Sequence, residues 1–293
     1  MQTLTIFTPV YNRIEKISAL YKGLCGQEDK DFVWLIVDDG STDGTEAVVK
    51  TWMEEAVLCI RYLKQENGGK HRAHNRGVEI CDTEWFFCID SDDLPESNTV
   101  RIIKERLKGI EKEDIGIVFP RYPMEGLYEG PWFPDGTRIY IPEIKMRFHR
   151  IIETAIVFRT SCLKEHLFPE IDGENFMSEE VLHNGLMQEG SFVTYRDCVY
   201  RFAYLQDGLT SRVFQLWKEN PRGSILLLTS RYNVIHRMNL PMGARWREKI
   251  GCIFNINALC MATNRRIRDF SPDIKLSVLL LLPSFFFKKR RFG

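Results

Sequence analysis

The sequence lacks the patterns that mark disulfide-stapled, zinc-binding and membrane-spanning proteins. Its eight cysteines are scattered without a Cys-x-x-Cys pair, so we expect free thiols in a reducing cytosol. The chain opens on TLTIFTPVY rather than on basic and apolar signal regions, so no cleaved export signal is expected. The longest apolar segment, residues 276–287, is shorter than the roughly 20 residues that a spanning helix needs.

The chain also lacks net charge, with 40 basic and 40 acidic residues. This balance hides a division, because residues 1–211 hold 24 basic and 36 acidic residues (net −12), whereas residues 212–293 hold 16 and 4 (net +12). At 293 residues and 44% hydrophobic content, the chain can bury the core of one large α/β domain with additions, or of two small ones. The charge division predicts that the two regions meet different neighbours.

The basic region includes an apolar segment followed by cations. Residues 276–287 are mostly apolar, and Lys288, Lys289, Arg290 and Arg291 follow. The three phenylalanines of this segment can lie in a membrane interface while the cations contact anionic headgroups, at about 1 kcal/mol per charge. The segment could instead pack on the protein's own core, or the basic region could complement the acidic one. We expect peripheral contact with an anionic membrane.

Strand-like and helix-like segments alternate in the first 120 residues. The predicted strands are Leu4–Pro9, Phe32–Asp38, Cys59–Lys64, Trp85–Ile89 and Ile115–Phe119. The predicted helices are Ile14–Cys25, Thr45–Ala56, Lys70–Ile80 and Ser97–Lys108. This alternation predicts an α/β fold with a mostly parallel sheet and helices on both faces, in which ligands bind outside the carboxyl ends of the strands.

An acidic cluster follows the predicted fourth strand, with Asp90, Ser91, Asp92 and Asp93 in succession. Carboxylates so close together repel, so at least one pKa should rise unless a cation binds. Mg²⁺ or Mn²⁺ suits such oxygen ligands and usually bridges to phosphate as well. The alternative is a solvated acidic turn that caps the helix starting near Glu96.

A second polar motif, DDGSTDGT, ends the predicted second strand. Asp38 and Asp39 come before a turn at Gly40, and Ser41, Thr42 or Asp43 can cap the next helix. Capping does not readily explain two consecutive carboxylates before the turn. Asp39 can accept hydrogen bonds from a base or ribose, as the acidic residue of dinucleotide folds does.

A third motif, NGGKHRAHNRG, brings cations to a helix start. Two glycines precede Lys70, and Arg72 and Arg76 follow it. Backbone N–H groups and the helix dipole favour anions at such a position. The motif therefore suits a diphosphate that faces a metal at Asp92.

Taken in order, TPVYNR, VDDGSTDGT, QENGGKHRAHNRG and DSDD resemble family 2 of the inverting bacterial glycosyltransferases, which have the Rossmann-like GT-A fold. The resemblance covers about residues 1–205. It implies a nucleotide-diphosphate sugar donor, most often a UDP-sugar, held with Mg²⁺ or Mn²⁺. By position, it implies that Thr8, Tyr11 and Asp39 contact the base and nucleoside.

The resemblance also assigns roles within the acidic cluster. Asp90 and Asp92 match the DxD motif of the family, with Asp92 as the metal ligand and Asp90 nearer the ribose or donor sugar. Asp93 is implied to orient the sugar or to accept a hydrogen bond behind the metal ligands. Asp38, Lys70, Arg72 and Arg76 complete the expected donor-binding set.

The family usually carries a Glu-Asp pair at a helix start in its second half, and the acidic member of that pair deprotonates the acceptor. The matching segment is NFMSEEVLHNGL, in which Ser178 can cap a helix and Glu179 and Glu180 fall in its first turn. We favour Glu180 as the base and keep Glu179 as the alternative. Glutamates in a first turn also stabilise a helix without any catalytic role.

We expect three regions. Residues 1–110 should bind the donor, residues 111–211 should hold the acceptor site and the base within the same GT-A domain, and residues 212–293 should form a basic helical extension. Aromatic residues of the second region can stack on sugars or form a lid, or can belong to a plain loop: Tyr122, Tyr128, Trp132 and Phe133. Polar residues that could reach the diphosphate or the acceptor are Arg201, Gln206 and Asp207.

The expected function is transfer of a single sugar, with inversion, to a lipid-linked or cell-surface polysaccharide acceptor. The sequence has neither the QxxRW motif nor the multiple spans of the processive synthases. The expected location is cytoplasmic, at the inner face of the plasma membrane, with no nucleic-acid partner. One alternative is a catalytically silent sugar-binding or scaffold protein of the same fold. Another is a sugar nucleotidyltransferase, which should open on a GxGTRL-type loop that residues 8–13 do not match.

Overall fold

The chain folds into two compact units. The computed structural model describes residues 2–149, 152–202, 212–238 and 240–292. The first unit comprises Met1–Leu167 and Gln188–Tyr204, and the second comprises Phe168–Met187 and Leu205–Gly293. Residues 168–187 therefore group with the basic region, which the sequence-based division at residue 211 does not show.

The first unit is built on a large sheet. Its strands are β1 (Leu4–Val10), β2 (Val33–Asp38), β3 (Cys59–Lys64), β4 (Trp85–Cys88), β6 (Asp114–Pro120), β8 (Arg138–Ile139), β9 (Thr154–Arg159) and β10 (Ser191–Thr194). A small second sheet consists of β5 (Leu94–Pro95), β7 (Tyr122–Pro123) and β11 (Tyr200–Phe202). In the described residues the large sheet has the order β3-β2-β1-β4-β9-β6-β10-β8.

Helices accompany the sheet of the first unit and make up most of the second unit. Those of the first unit are α1 (Ile14–Cys25), α2 (Thr45–Glu55), α3 (Lys70–Ile80), α4 (Thr99–Leu107), α5 (Ile141–Phe148) and α6 (Thr160–Glu165). Those of the second unit are α7 (Glu179–Leu186), α8 (Val213–Glu219), α9 (Pro221–Val234), α10 (Met242–Ala262), α11 (Ile274–Leu279) and α12 (Leu281–Arg291). The predicted α/β fold is confirmed, and the five predicted strands and four predicted helices all form.

Two strands of the large sheet, β8 and β9, break its parallel order, and β8 pairs antiparallel with β10. β9 pairs antiparallel with both β4 and β6, so β6 runs in the same direction as β4. Gly116 allows this close pairing, because a Cβ at that position would lie 2.0 Å from the carbonyl oxygen of Val157. The carboxyl ends of β1, β2, β4 and β6 consequently share one edge of the sheet.

Buried polar contacts explain why residues 168–187 belong to the second unit. The Glu174 carboxylate accepts backbone N–H bonds from Arg222 (2.9 Å) and Gly223 (2.8 Å), at the start of α9. The Asn220 side-chain oxygen accepts two more, from Asn175 at 2.9 Å and Phe176 at 3.1 Å. The two bonds to Glu174 satisfy N–H groups that the start of α9 leaves without intrahelical partners.

The structure shows the state of the cysteines and the length of the apolar helices. All eight cysteines are free thiols in the structure. In the part of the chain that the structure describes, no helix combines the length and the apolar character needed to cross a bilayer.

Candidate active site

Three polar segments meet at the carboxyl edge of the large sheet. β1 pairs in parallel with β2, with Val10 opposite Asp38, and on its other side with β4. The Asp39 N–H donates to the Val10 carbonyl at 2.8 Å. The loops after β1 and β2 are also joined, because the Asn12 side-chain oxygen accepts the Thr42 N–H at 2.8 Å. The sheet thus brings the motifs TPVYNR, DDGSTDGT and DSDD together.

Asp38 builds the loop that follows β2. Its side chain is fully buried, and its oxygens accept bonds from the Ser41 N–H (2.6 Å) and the Tyr62 hydroxyl (2.6 Å). Burial, and then the bond to Asp38, raise the pKa of Tyr62 well above its ordinary value. In this structure Asp38 thus holds the loop together, and its contact with the sugar donor stays a prediction.

Asp39 holds the glycine-rich segment in place. One of its oxygens accepts the Gly68 N–H at 2.9 Å, and the other accepts the Gly69 N–H at 2.8 Å. Gln65 adds a third bond at 2.8 Å. Gly69 has a φ of 95°, which L side chains rarely adopt, and α3 begins at the next residue. Asp39 therefore sets the position of the α3 start and of Lys70.

Two partly exposed cations contact Asp90 and Asp92 of the acidic cluster. The Lys70 ammonium lies 2.7 Å from Asp90 Oδ1, and the Arg13 guanidinium lies 3.5 Å from Asp92 Oδ2. All four side chains are partly exposed. The edge thus alternates carboxylates with cations, a pattern that can bind a metal and a diphosphate together.

Asp93 is set apart from its neighbours by burial. Its side chain is 3% exposed, and its Oδ1 accepts a hydrogen bond from Arg121 Nη2. Arg121 follows β6 directly, so the shared edge brings it to the cluster, and its guanidinium lies 5.0 Å from the Tyr200 ring centroid. Asp93 and Arg121 form a buried ion pair, and Asp93 comes next to Asp92 in the chain.

Burial also controls the ionisation of Asp93. It raises the pKa of Asp93 to about 7 against the charge of Arg121, and the nearby Asp90 and Asp92 add a smaller rise. The sequence predicted a raised pKa in this cluster, but from like-charge repulsion. The main cause is instead the loss of water around one of the three carboxylates.

Replacing Arg121 with methionine should destabilise the first unit by about 3 kcal/mol, because it leaves a buried carboxylate without its partner. The midpoint of chemical denaturation measures this loss. Arg61→Met is the matched control, since Arg61 pairs with Asp82 at 2.9 Å where both side chains are well exposed. We expect a change below about 1 kcal/mol there. Equal losses in the two variants would contradict a structural role of the buried pair.

The acidic cluster suits a divalent cation that is shared with a ligand. Among the residues that the structure describes, no three His, Cys, Asp or Glu side chains are grouped to hold a metal by themselves. Mg²⁺ is usually bound through one or two carboxylates together with phosphate oxygens and water. Asp90 and Asp92 supply two carboxylates that already attract cations of the chain. The residues fit a metal bound with a diphosphate.

Comparison with known proteins identifies the family to which this chain belongs. A sequence model described as Glycosyl transferase family 2 matches residues 5–167, which contain all the motifs at the sheet edge. The chain belongs to glycosyl transferase family 2. The resemblance carried by the four motifs is confirmed.

Relatives of this family 2 glycosyltransferase include bacterial glycosyltransferases and a teichoic acid polymerase. Glycosyltransferase GlyG of Streptococcus pneumoniae is 23% identical over 230 residues, which cover 73% of this chain and 75% of GlyG. Poly(ribitol-phosphate) beta-N-acetylglucosaminyltransferase TarS of Staphylococcus aureus is 26% identical over 178 residues, 58% of this chain and 30% of TarS. Teichoic acid poly(glycerol phosphate) polymerase of Staphylococcus epidermidis is 26% identical over 57% of this chain and 23% of the polymerase. The chain thus matches less than a third of the last two proteins.

Solved structures share the fold. TarS 1-349 of S. aureus in complex with UDP-GlcNAc has a TM-score of 0.57 at 15% identity, covering 97% of this chain and 92% of that one. Mannosyltransferase PcManGT of Pyrobaculum calidifontis in complex with GDP-Man and Mn²⁺ has a TM-score of 0.55 at 16% identity, covering 99% and 84%. At these identities the likeness establishes the GT-A fold.

The candidate base of the glycosyltransferase lies in the second unit. Ser178 caps α7 by accepting the Glu180 N–H at 3.4 Å, and Glu179 and Glu180 occupy the first turn as predicted. The Glu180 carboxylate accepts two hydrogen bonds from the Arg231 guanidinium on α9. Burial opposes the charge of Arg231, but the Glu180 carboxylate outweighs it, and the pKa of Arg231 is raised. Glu179 is exposed.

The remaining residues expected to bind the donor differ in their burial and in their partners. Thr8 is fully buried and accepts the Trp34 indole N–H at 3.0 Å, which gives it a core role, whereas Tyr11 is half exposed. The Arg72 side chain folds over the glycine-rich segment, since a Cβ on Gly68 would lie 2.7 Å from Arg72 Cδ. Arg76, about 9 Å farther along α3 than Lys70, pairs with Glu79 at 3.2 Å on an exposed surface. Arg76 is therefore separated from the acidic edge.

The aromatic residues expected on the acceptor side are largely packed among themselves. Tyr122, Trp132 and Phe133 are buried, and the Trp132 indole donates to the Tyr195 carbonyl at 3.0 Å. Tyr128 lies 6.1 Å from Tyr122, centroid to centroid. This segment is a folded loop, and stacking on a sugar would fall mainly to Tyr128.

Arg201, also expected to reach a ligand, pairs with Glu96 and donates to the carbonyls of Pro123 (2.9 Å) and Gly126 (2.8 Å). It therefore fastens the loop that follows β7. The expectations for Gln206 and Asp207 lie outside the described residues.

Sequence reasoning missed the arginines that pair with the acidic residues. Arg13 lies in the motif TPVYNR, and Arg121 follows a buried strand, so a charged residue at the predicted edge was an available signal for both. Arg231 lies within a helix, and no local pattern marks it as the partner of Glu180.

Proposed function

We propose that this family 2 glycosyltransferase transfers one sugar from a nucleotide-diphosphate sugar, most often a UDP-sugar, to a lipid-linked or cell-surface polysaccharide. The supporting observation is the charge pattern at the edge of the large sheet, where Lys70 contacts Asp90 and Arg13 contacts Asp92. Lys70 is the first residue of α3, and Asp39 holds the start of that helix in place. Such a set of charges complements a diphosphate bound with a divalent cation.

The donor diphosphate is bound by cations and by the α3 start. Lys70 and Arg13 can turn from the carboxylates to phosphate oxygens when the donor arrives, and the first N–H groups of α3 favour the same charge. Asp92 and Asp90 would hold Mg²⁺ or Mn²⁺. When bound, such an ion neutralises charge that grows on the leaving diphosphate.

The acceptor hydroxyl is activated by a carboxylate of α7. Glu180 is our first choice, because it lies in the first turn of α7 and two hydrogen bonds from the Arg231 guanidinium fix the direction of its carboxylate. Its oxygens take the hydroxyl proton as the acceptor oxygen attacks the anomeric carbon opposite the leaving nucleotide. This single displacement inverts the centre, so a UDP-α-sugar gives a β-linkage.

One relative, TarS, supports the choice of donor, acceptor and product. The structure of TarS 1-349 was solved with UDP-GlcNAc, and the name of TarS describes a beta-N-acetylglucosaminyltransferase that acts on poly(ribitol-phosphate). A β-product from a UDP-sugar is what an inverting transferase gives. We place the reaction at the cytoplasmic face of the plasma membrane, where a lipid-linked acceptor can be reached from an anionic surface.

A thermal-shift screen of UDP-, GDP- and dTDP-sugars tests donor binding. We expect one donor to raise the Tm by several degrees in the presence of Mn²⁺, because a ligand at 100 times its Kd stabilises by about 2.7 kcal/mol. Removing the metal with EDTA should abolish most of that rise. If no nucleotide sugar shifts the Tm with or without Mn²⁺, the proposed donor site is wrong.

A further inference from the structure

The helices α11 and α12 present an apolar outer face. Val278, Leu279, Leu282 and Phe286 are 61%, 76%, 71% and 64% exposed. Leu279 ends α11, and Leu282 and Phe286 lie four residues apart in α12, so the last two share one side of that helix. Contiguous exposed apolar residues of this kind mark an interaction surface in a folded protein. We call the outer side of residues 274–290 the apolar face.

The opposite side of these helices is fixed to α10. The buried Asn257 amide donates to the Ser277 carbonyl at 2.9 Å and to Ser284 Oγ at 3.4 Å. The Phe287 ring lies 5.9 Å from that of Phe254, and Arg291 donates to the Asn255 side chain. The apolar face is therefore part of the folded second unit, and exposing it requires no rearrangement.

Cations border the apolar face. Lys289 and Arg290, about one helical turn after Phe286, are exposed, and Lys275 is exposed at the other end of the face. The Lys289 ammonium lies 5.2 Å from the Phe285 ring centroid, so its stem covers apolar surface while its charge stays at the edge. An apolar strip bordered by cations matches the boundary between acyl chains and anionic headgroups.

We propose that this face docks the second unit on an anionic lipid bilayer, with α11 and α12 in the plane of the interface. The charge pattern favours a bilayer over a second copy of the chain. In a two-fold dimer the same face meets itself, and the cations beside it would come together in an apolar contact. The inference extends the proposed location at a membrane and is independent of the proposed sugar transfer.

Co-sedimentation with vesicles tests the apolar part of the face. The full chain should bind vesicles of phosphatidylcholine mixed with phosphatidylglycerol, and bind phosphatidylcholine alone much more weakly. The triple variant Leu279→Ser, Leu282→Ser and Phe286→Ser should lose at least about tenfold in affinity for the mixed vesicles. Since these side chains are exposed, its circular dichroism and Tm should match those of the parent.

A matched apolar control lies in the first unit. Met53→Ser, Val57→Ser and Leu127→Ser also remove three exposed apolar side chains. This variant should bind the mixed vesicles as tightly as the parent does. An equal loss in the two triple variants would overturn the assignment of the docking surface to α11 and α12.

The charge at the face is tested separately. Lys289→Gln with Arg290→Gln should weaken binding to the mixed vesicles about 30-fold. Arg222→Gln with Arg237→Gln removes the same charge from exposed positions on and beside α9 and should cost less than about threefold. Equal effects would show that the total charge, and no particular face, attracts the membrane, which would overturn the proposal.

Two further outcomes decide the occupant and separate this inference from the proposed function. One is that sedimentation shows the parent as a dimer and the triple serine variant of α11 and α12 as a monomer, and that the parent does not bind vesicles. In that case a second copy of the chain covers the apolar face, and the proposal is wrong. Binding of the nucleotide sugar in solution is measured on the same variants. It should be unchanged, so loss of vesicle binding alone leaves the transfer reaction standing.

Discussion

Replacing Asp92 with asparagine should lower sugar transfer by about 1,000-fold while the first unit stays folded. Asp92 is our first choice for holding the divalent cation, and removing one preorganised group that stabilises developing charge typically costs about 100-fold to 1,000-fold. The Asp92 carboxylate touches only the partly exposed Arg13, at 3.5 Å in the described structure, so little stability depends on it. Initial rates of transfer or donor hydrolysis with Mn²⁺ measure the effect.

A matched control separates the metal role from a general effect of lost charge. Asp82→Asn also removes a carboxylate that pairs with an arginine, Arg61, at 2.9 Å, but away from the sheet edge that carries the acidic cluster. Its transfer rate should stay within about twofold of the parent. If Asp92→Asn retains full activity and its donor still binds only with Mn²⁺, Asp92 is not the metal ligand.

Replacing Glu180 with glutamine should lower transfer by about 100-fold to 10,000-fold, the range that general base catalysis contributes. Binding of the nucleotide sugar should be nearly unchanged, because the proposed donor contacts are made by Lys70, Arg13 and Asp92. The amide keeps the shape of the side chain but cannot take the proton. Measuring kcat and the donor Kd separately distinguishes a loss of catalysis from a loss of donor binding.

Three companion variants complete the test. Glu180→Asp restores the charge in the shorter form that the family usually carries, so it should recover much of the activity. Glu179→Gln should retain most of the activity if Glu180 is the base. Arg231→Met should destabilise the second unit by about 3 kcal/mol, because it leaves the Glu180 carboxylate without its buried partner. An inactive Glu179→Gln beside an active Glu180→Gln would reverse the assignment.

The local elements of the first unit could be predicted because their signals are short-range. β3, α1 and α3 have the predicted bounds, and the other early elements differ by one or two residues at an end. The antiparallel β9 was not predicted, because its place between β4 and β6 depends on pairing with strands far away in sequence. The same limit applies to residues 168–187, whose polar partners begin at residue 220.

The site was predicted at the level of motifs and less well at the level of side chains. The alternation of strands and helices indicated that the motifs TPVYNR, DDGSTDGT and DSDD would share an edge. It could not indicate that Asp38 and Thr8 would be buried. Asp38 accepts a hydrogen bond from Tyr62 and Thr8 accepts one from Trp34, and both donors are distant in sequence. Ion pairs such as Arg121 with Asp93 likewise depend on register between strands.

Time-resolved proton NMR of donor turnover tests the central claim most directly. The purified chain is incubated with Mn²⁺ and the UDP-α-sugar that binds it, and the anomeric signals are followed before mutarotation. We predict release of UDP together with a sugar that appears first as the β-anomer, by attack of water or an added acceptor. A sugar that appears first as the α-anomer would contradict inversion, and no turnover of any bound donor would contradict the assignment as a transferase.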